Sequence, residues 1–304
     1  MTGKLNKYLI VIAGPTAVGK TTITIKLARY FDTSVINADS RQVYREMSIG
    51  TAKPSIGEMA GVNHYFIGSK TLNDFFNAGI FEKEALAICD KVFSKKNLLI
   101  LSGGSGLYIN ALCEGLDKFP VVNSDIRNNL NEEYEASGLE QLLEELRVND
   151  PEYYNIVDMQ NPQRVIRALE VIRASGKPYS LFRKRVVSER PFGIVKLGVN
   201  RDRSDLYDRI NQRVDRMIEE GLFAEAKSLI SFRNHNALKT VGYQEVFCHL
   251  DGKYDYNEAV SLMKRNSRRY AKRQITWFKR DLEYRWFHPD RFEEIVAFIK
   301  SKVQ

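Results

Sequence analysis

Eight residues near the start of this 304-residue sequence carry its densest chemistry. Gly14, Pro15, Thr16, Ala17, Val18, Gly19, Lys20 and Thr21 match G-x-x-x-x-G-K-[ST] at every fixed position. In such a loop, backbone N–H groups and a helix N-terminus converge on an anionic oxygen cluster. Lys20 adds a mobile cation, and the Thr21 hydroxyl can ligate Mg²⁺. The alternative is a glycine turn whose lysine reaches out to solvent; an apolar run directly before the loop and a helical segment directly after it favour phosphate binding. A nucleotide-hydrolysing motor places an acid at the end of a later strand, to hold Mg²⁺ and orient water. Here the corresponding run, 97–101, leads into Ser102-Gly103-Gly104-Ser105 instead. The loop is therefore expected to bind a di- or triphosphate without hydrolysis as its necessary chemistry. Asp39 is the acid at a strand end close to the loop in sequence. A carboxylate at that edge of a parallel sheet faces the crevice where ligands bind, as general base or metal partner; the competing role is an N-cap for whatever follows.

A second concentration of chemistry lies near the C-terminus. Lys264, Arg265, Arg268, Arg269, Lys272, Arg273, Lys279 and Arg280 occur with no acid among them, whereas 117–150 holds nine acids and three bases. On a helix the first six bases fall on one face, drifting about 40° per step of four. A merely solvated face would interleave acids for i, i+4 pairing, so phosphate contact is the favoured role. Tyr270, Trp277 and Phe278 are candidates to stack on bases, with core packing the expected fate of at least two. A net charge of +8 agrees with a polyanionic partner.

These groups need elements to position them. Residues 8–13 (YLIVIA), 34–38, 97–101 and 194–199 read as buried strands, with helices from Gly19 to Tyr30 and over 79–93. Strands alternating with helices predict a parallel sheet with crossovers. The expected fold is α/β: a P-loop NTPase-like parallel sheet with flanking helices, built from 1–117 and 191–304, and a helical insertion domain over 118–190. Helices are expected near 204–231, 242–250, 256–281 and 290–302. With 43% hydrophobic residues, 8 Pro and 19 Gly, the chain is neither disordered nor fibrous. It lacks a membrane-length apolar run and a signal-peptide cleavage site, so a cytoplasmic location is expected. Cys89, Cys113 and Cys248 are far apart, with no C-x-x-C, and read as reduced core thiols. The four histidines form no i, i+4 metal pair.

Taken together, GPTAVGKT (14–21), NADSRQVYREMSIGTAKP (37–54), LSGGSGLYINAL (101–112), NPQRVIRALEVIRASGKP (161–178), KTVGYQE (239–245) and AKRQITWFKR (271–280) resemble the tRNA dimethylallyltransferase family. The resemblance implies passage of a five-carbon allylic group from dimethylallyl diphosphate to the exocyclic N6 amine of the adenosine 3′ to the anticodon. It implies an anticodon stem-loop as partner, Mg²⁺ as cofactor and no membrane or protein partner. Under it, the phosphate loop holds diphosphate and Asp39 accepts the amine proton, while Arg213 steadies the leaving diphosphate. Arg213 lies in an R-x-x-x-R spacing that is also common on solvated helices. The implied tRNA contacts are Asp39, Ser40, Arg41 and Gln42; Ser105, where the family commonly has Thr; Arg127; Gln163, Arg164, Val165, Ile166 and Arg167. Further contacts are implied at Lys239, Thr240, Val241, Gly242, Tyr243 and Gln244, and at Lys272, Arg273, Gln274, Ile275, Thr276, Trp277, Phe278 and Lys279. The lack of a zinc-finger extension after the basic helix points to a bacterial-type member.

Two other classes share the loop. A P-loop kinase would need an arginine lid over the transferring phosphate, which the acidic stretch 117–150 does not resemble, and it has no use for a unipolar basic helix. A nucleotide-gated RNA-binding protein would need no Asp39.

Overall fold

In β1 (Tyr8–Ala13) side chains alternate between two buried clusters: Leu9, Val11 and Ala13 enter one, Ile10 and Ile12 the other. This is why the run is apolar throughout. The computed structural model describes residues 6–184 and 186–303; residues 1–5 and 304 of the expected core, and residue 185 of the expected insertion, lie outside the described residues. After the phosphate loop, α1 (Lys20–Tyr30) buries Ile23, Leu27 and Ala28, then β2 (Val35–Ala38) follows. A one-turn α2 (Ile56–Met59), closed by a Ser55–Glu58 capping box, leads to β3 (His64–Tyr65). α3 (Ala78–Phe93) starts where Asn77 accepts the Ile80 N–H, and runs into β4 (Leu98–Gly103) and α4 (Gly106–Glu114).

Four helices follow: α5 (Ser124–Ser137), α6 (Leu139–Asn149), the one-turn α7 (Pro151–Tyr154) and α8 (Pro162–Ser175). They form a unit of their own, Glu114 to Ser188, around Leu130, Leu142, Leu146, Val165 and Leu169. Its limits lie four residues before and two before the expected 118 and 190. Hydrogen bonding explains the shift. Ser188 N–H donates to Glu114 O and closes the helical unit, whereas the Arg190 guanidinium donates to Ala111 O, Leu112 O and Glu82 in the sheet unit.

The sheet unit resumes with β5 (Gly193–Val199), α9 (Arg203–Glu219) and α10 (Leu222–Ser228). The helix expected over 204–231 is thus two helices, broken at Gly221 with φ 102°, a left-handed geometry that glycine takes without a Cβ penalty. α11 (Tyr243–Leu250), α12 (Tyr256–Phe278), β6 (Arg285–Phe287) and α13 (Phe292–Val303) complete the chain.

The six strands are all parallel, in the order β3-β2-β4-β1-β5-β6. The sequence reading missed β3 and β6, edge strands of two and three half-buried or exposed residues that show no apolar run. The register matters most for the site. Ala13 pairs with Gly103, and Gly103 with Ala38, so three neighbouring strands end in one row. Gly14, Gly104 and Asp39 are the next residues along that row.

Candidate active site

The carbonyls of the phosphate loop accept from cationic side chains. Lys20 Nζ donates to Gly14 O (2.9 Å) and Pro15 O (2.7 Å), Arg209 Nε to Ala17 O (3.0 Å) and Arg201 Nε to Val18 O (2.9 Å). Ala17 holds a left-handed φ of 63° and Gly19 one of 103°, the backbone conformations that let consecutive N–H groups line a concave surface. Gly14 is required by space, since a Cβ there would come 2.4 Å from Val199 O. The Lys20 ammonium is pulled down to about 7, first by burial and then by Arg213, with Asp39 opposing. Burial also lowers Arg213, again against Asp39. Two cations and one carboxylate therefore share one field, which leaves an excess of positive charge suited to an anion.

Asp39 is held by the backbone that follows it. Its Oδ1 accepts the Arg41 N–H (2.9 Å) and the Gln42 N–H (3.2 Å). No helix follows, so the bonds fasten a turn and not a helix N-terminus. Both fall on Oδ1; Oδ2 accepts none among the described residues. Next to it, Ser105 Oγ accepts the Ser40 N–H (3.0 Å) and donates to Ser40 Oγ (3.2 Å), while Ser105 N–H donates to Ala38 O (3.1 Å). The Ser-Gly-Gly-Ser-Gly loop thus ties the end of β4 to the end of β2. Gly103 cannot carry a side chain, because a Cβ would sit 2.2 Å from Ala38 O.

Asp39 and Thr16 open onto a cleft whose other walls come from Gly50-Thr51, α9, residues 240–242 and α12. Arg213 lies in that wall and donates from Nη2 to Thr51 O (3.0 Å), so the R-x-x-x-R pair of α9 turns inward and not to solvent. Glu225 of α10, which the sequence reading did not single out, fixes the opposite wall. Its carboxylate accepts the N–H groups of Ser48, Ile49 and Gly50 (3.0, 2.8 and 2.9 Å) and the Tyr243 hydroxyl (2.6 Å). Hydrogen bonds to a charged acceptor contribute about 1.5–3 kcal/mol each in favourable cases, enough to hold this loop without regular secondary structure.

Several residues expected to touch tRNA are otherwise engaged. Gln42 donates both its amide bonds to Thr51 O and Ala52 O (3.0 and 3.2 Å). Val165 and Ile166 are buried in the core of the helical unit, Tyr243 is buried with its ring against Gly50, and Phe278 packs on Tyr284. Ile275 packs against the core, and Gly242 and Gln274 are buried. Gln274 bonds the phosphate loop. Apart from Gly242, which has no side chain and lines the cleft, their side chains are not available to a polyanion. Thr240 and Val241 line the cleft, and Lys239 and Gln244 are exposed.

In the basic face of α12 the predicted stripe is narrower than six residues. Lys264 pairs with Asp215 (2.6 Å), and Arg268 donates to Asn211 Oδ1 (2.6 Å), both on α9. Arg265, Arg269 and Lys272 are exposed and make no side-chain hydrogen bond or ion pair among the described residues, and exposed Arg273 lies over the Tyr270 ring. Thr276 and Lys279 are exposed beside them. Tyr270 and Trp277 keep 39% and 38% exposure, so of the three aromatic candidates only Phe278 is fully packed.

In the helical unit, Glu170 is 1% exposed and pairs with Arg127 (3.1 Å) and Arg167 (3.0 Å). Arg127 also donates to Gln163 Oε1 (3.2 Å). Arg164 and Gln163 remain exposed. A buried carboxylate needs such partners; they also hold the two arginines at the surface in fixed orientation.

Cys89 and Cys113 are buried and Cys248 is half-buried. Among the described residues no group of three His, Cys, Asp or Glu side chains could hold a metal ion, and no helix is long and apolar enough to cross a membrane.

Comparison with known proteins bears directly on this arrangement. A family profile described as IPP transferase matches residues 42–281. The tRNA dimethylallyltransferase of Cytophaga hutchinsonii is 51% identical over 99% of both chains, and tRNA dimethylallyltransferase 1 of Bacteroides fragilis is 47% identical over 98% of this chain and 99% of its own. Among solved structures, the tRNA isopentenylpyrophosphate transferase of Bacillus halodurans superposes with a TM-score of 0.73 at 38% identity, covering 98% of this chain and 97% of its own. A eukaryotic dimethylallyltransferase described as acting on tRNA superposes with a TM-score of 0.71 at 26% identity, over 89% of this chain and 69% of its own. The P-loop NTPase-like fold is therefore shared with these structures. Matched by the profile over most of its length, and half identical to a relative from end to end, the chain belongs to the IPP transferase family, the tRNA dimethylallyltransferases.

Proposed function

We propose that this chain transfers the dimethylallyl group of dimethylallyl diphosphate to the N6 amine of the adenosine 3′ to the anticodon of tRNA. The observation that carries the reading is the register Ala13–Gly103–Ala38. It sets the phosphate loop and Asp39 at the ends of two strands that flank β4, on one cleft. In the reaction the C1–O bond of the allylic diphosphate breaks as the N6–C1 bond forms, and the N6 proton leaves. Ionisation of an allylic diphosphate depends on stabilising its leaving group, so preorganised positive charge supplies most of the acceleration. Lys20, with two of its three donors on Gly14 O and Pro15 O, and Arg213, tied to Thr51 O, are cations already in place. Asp39 Oδ2 is the oxygen that takes the proton, because Oδ1 is engaged with the backbone.

Thr21 is exposed directly after Lys20, and its hydroxyl would hold the Mg²⁺ that accompanies diphosphate. The donor set fits that ion: with one protein hydroxyl and no acidic cluster, the remaining ligands come from diphosphate oxygens and water, as Mg²⁺ tolerates. Held by Thr21, such an ion would supply positive charge against the diphosphate.

The adenine must leave its stack to reach the cleft, at a cost of a few kcal/mol that a single-stranded loop lowers. Arg265, Arg269, Lys272 and Arg273 on α12, and Arg164, Arg127 and Arg167 on the helical unit, are the phosphate-binding groups in this reading. A tRNA substrate supports a cytoplasmic location. The test is incubation with tRNA, Mg²⁺ and labelled dimethylallyl diphosphate: label in the RNA is the expected result. Label only as free prenyl alcohol, or a phosphorylated product from labelled ATP, would overturn the reading.

A further inference from the structure

Gln274 is a polar residue on the buried stripe of α12. Ala271 and Phe278, three residues before it and four after, are core residues, and Gln274 itself is 7% exposed. Burying an amide is costly unless both of its ends are bonded. Both are: Oε1 accepts the Thr16 N–H at 2.9 Å, and Nε2 donates to Gly104 O at 3.0 Å. These partners are 258 and 170 residues away in sequence, one on the loop after β1 and the other on the loop after β4. The fit leaves no slack. A Cβ on Gly104 would come 2.3 Å from Gln274 Nε2, and one on Gly106 would come 2.1 Å from Trp277 Nε1.

We propose that Gln274 is a positioning residue for the diphosphate site. By joining the Thr16 N–H to the Gly104 carbonyl, it fixes the entry of the phosphate loop against the end of β4. The N–H groups that follow, and Lys20, then converge on one anion. The outer face of α12 carries the bases proposed for RNA; its inner face shapes the donor site. The proposal rests on reading the loop as a diphosphate site.

The position demands one donor and one acceptor in fixed places, which a neutral amide supplies and an ionised carboxylate does not. A carboxylate would face Gly104 O with a lone pair and bring negative charge to the loop. A protonated carboxyl, with one O–H and one C=O, would restore both bonds. This gives the inference a signature that loss of packing cannot imitate.

The experiment is calorimetric titration of Mg²⁺-pyrophosphate, and separately of an anticodon stem-loop RNA, into the parent protein, Gln274→Leu and Gln274→Glu at several pH values. Gln274→Leu strands the Thr16 N–H and the buried Gly104 carbonyl, and should weaken pyrophosphate binding about tenfold or more, leaving stem-loop affinity unchanged. Gln274→Glu should bind pyrophosphate weakly at neutral pH and recover as pH falls. The ratio of its Kd to that of the parent is the quantity to follow, because the parent changes with pH through Lys20. Should Gln274→Leu fail to fold, recovery of Gln274→Glu at low pH still decides the matter. Parent-like pyrophosphate affinity in Gln274→Leu, loss of stem-loop binding with pyrophosphate binding intact, or a pH-independent Kd ratio for Gln274→Glu would each overturn the proposal. A parent protein that binds no pyrophosphate would overturn the reading of the loop itself, a result distinct from these.

Discussion

The phosphate loop and the outer face of α12 are both cationic, yet their charges are held in opposite ways. In the loop every cation is bonded to backbone: Lys20 to Gly14 O and Pro15 O, Arg209 to Ala17 O, Arg201 to Val18 O, with Arg213 nearby on Thr51 O. On α12, Arg265, Arg269 and Lys272 are exposed, with no side-chain hydrogen bond or ion pair among the described residues. Charge held rigidly costs no reorganisation when diphosphate charge develops, and so acts on the barrier. Charge on flexible, solvated stems gains affinity for a polyanion through counterion release, with little geometric demand. The helical unit lies between these extremes, since Arg127 and Arg167 are exposed but anchored on buried Glu170.

The contrast can be broken first at Asp39. Asp39→Asn keeps an Oδ1 to accept the Arg41 and Gln42 N–H groups, so folding and both substrate affinities should hold, while the single-turnover rate falls by about 10²–10⁴-fold, the scale of a lost general base. Parent rate in the variant would remove Asp39 from the chemistry, and rescue of the rate by excess Mg²⁺ would make it a metal partner. Lys20→Ala removes one rigid cation and should lower kcat/KM for the allylic diphosphate by about 10²–10³-fold, measured with the diphosphate varied at saturating tRNA. An unchanged kcat/KM would show that the loop serves another ligand.

On the solvated side, the combined change of Arg265, Arg269 and Arg273 to Gln should leave the melting temperature alone and flatten the salt dependence of tRNA binding. Each lost contact takes about 0.7–0.9 off the slope of log K against log[salt]. A slope equal to the parent's would reduce the stripe to a solvated face.

The smallest effect is on pH. With Lys20 at about 7 in the free protein and charged beside bound diphosphate, binding above neutrality requires uptake of a proton. Affinity should therefore be complete below pH 7 and weaken by up to about tenfold per pH unit above it. Calorimetry across pH tests this, with Lys20→Arg as the control that cancels the ligand's own ionisation. A parent and control with parallel profiles would mean that Lys20 does not titrate in this range.

From sequence alone, the four inner strands of the sheet, the glycine-lysine loop after the first of them and the Asp39 position were legible. Each rests on a local signal: an apolar run that only a doubly covered strand needs, a glycine spacing that only a tight anion-binding turn needs, a lone acid where a run ends. Helices between 118 and 190 were legible because that stretch is polar and holds no strand-like apolar run. What residue types could not reveal was which polar side chains turn inward. Gln274 lies in a motif rich in bases, yet it occupies the buried stripe of α12 and bonds two loops that sequence separates by 258 and 170 residues. Its one available signal was a polar residue at the spacing of Ala271 and Phe278. Glu225 gave none, because its four partners are three backbone N–H groups and the Tyr243 hydroxyl, brought to it only when α10 packs against the 48–50 loop and α11. Likewise Lys264 and Arg268 read as members of one basic stripe until α9 supplies Asp215 and Asn211. The turn of the loop is a property of consecutive residues, so sequence determined it. Long-range pairing decided which charges are spent on the fold and which are left for substrates, because a side chain's protonation and freedom depend on neighbours that the chain brings together only by folding.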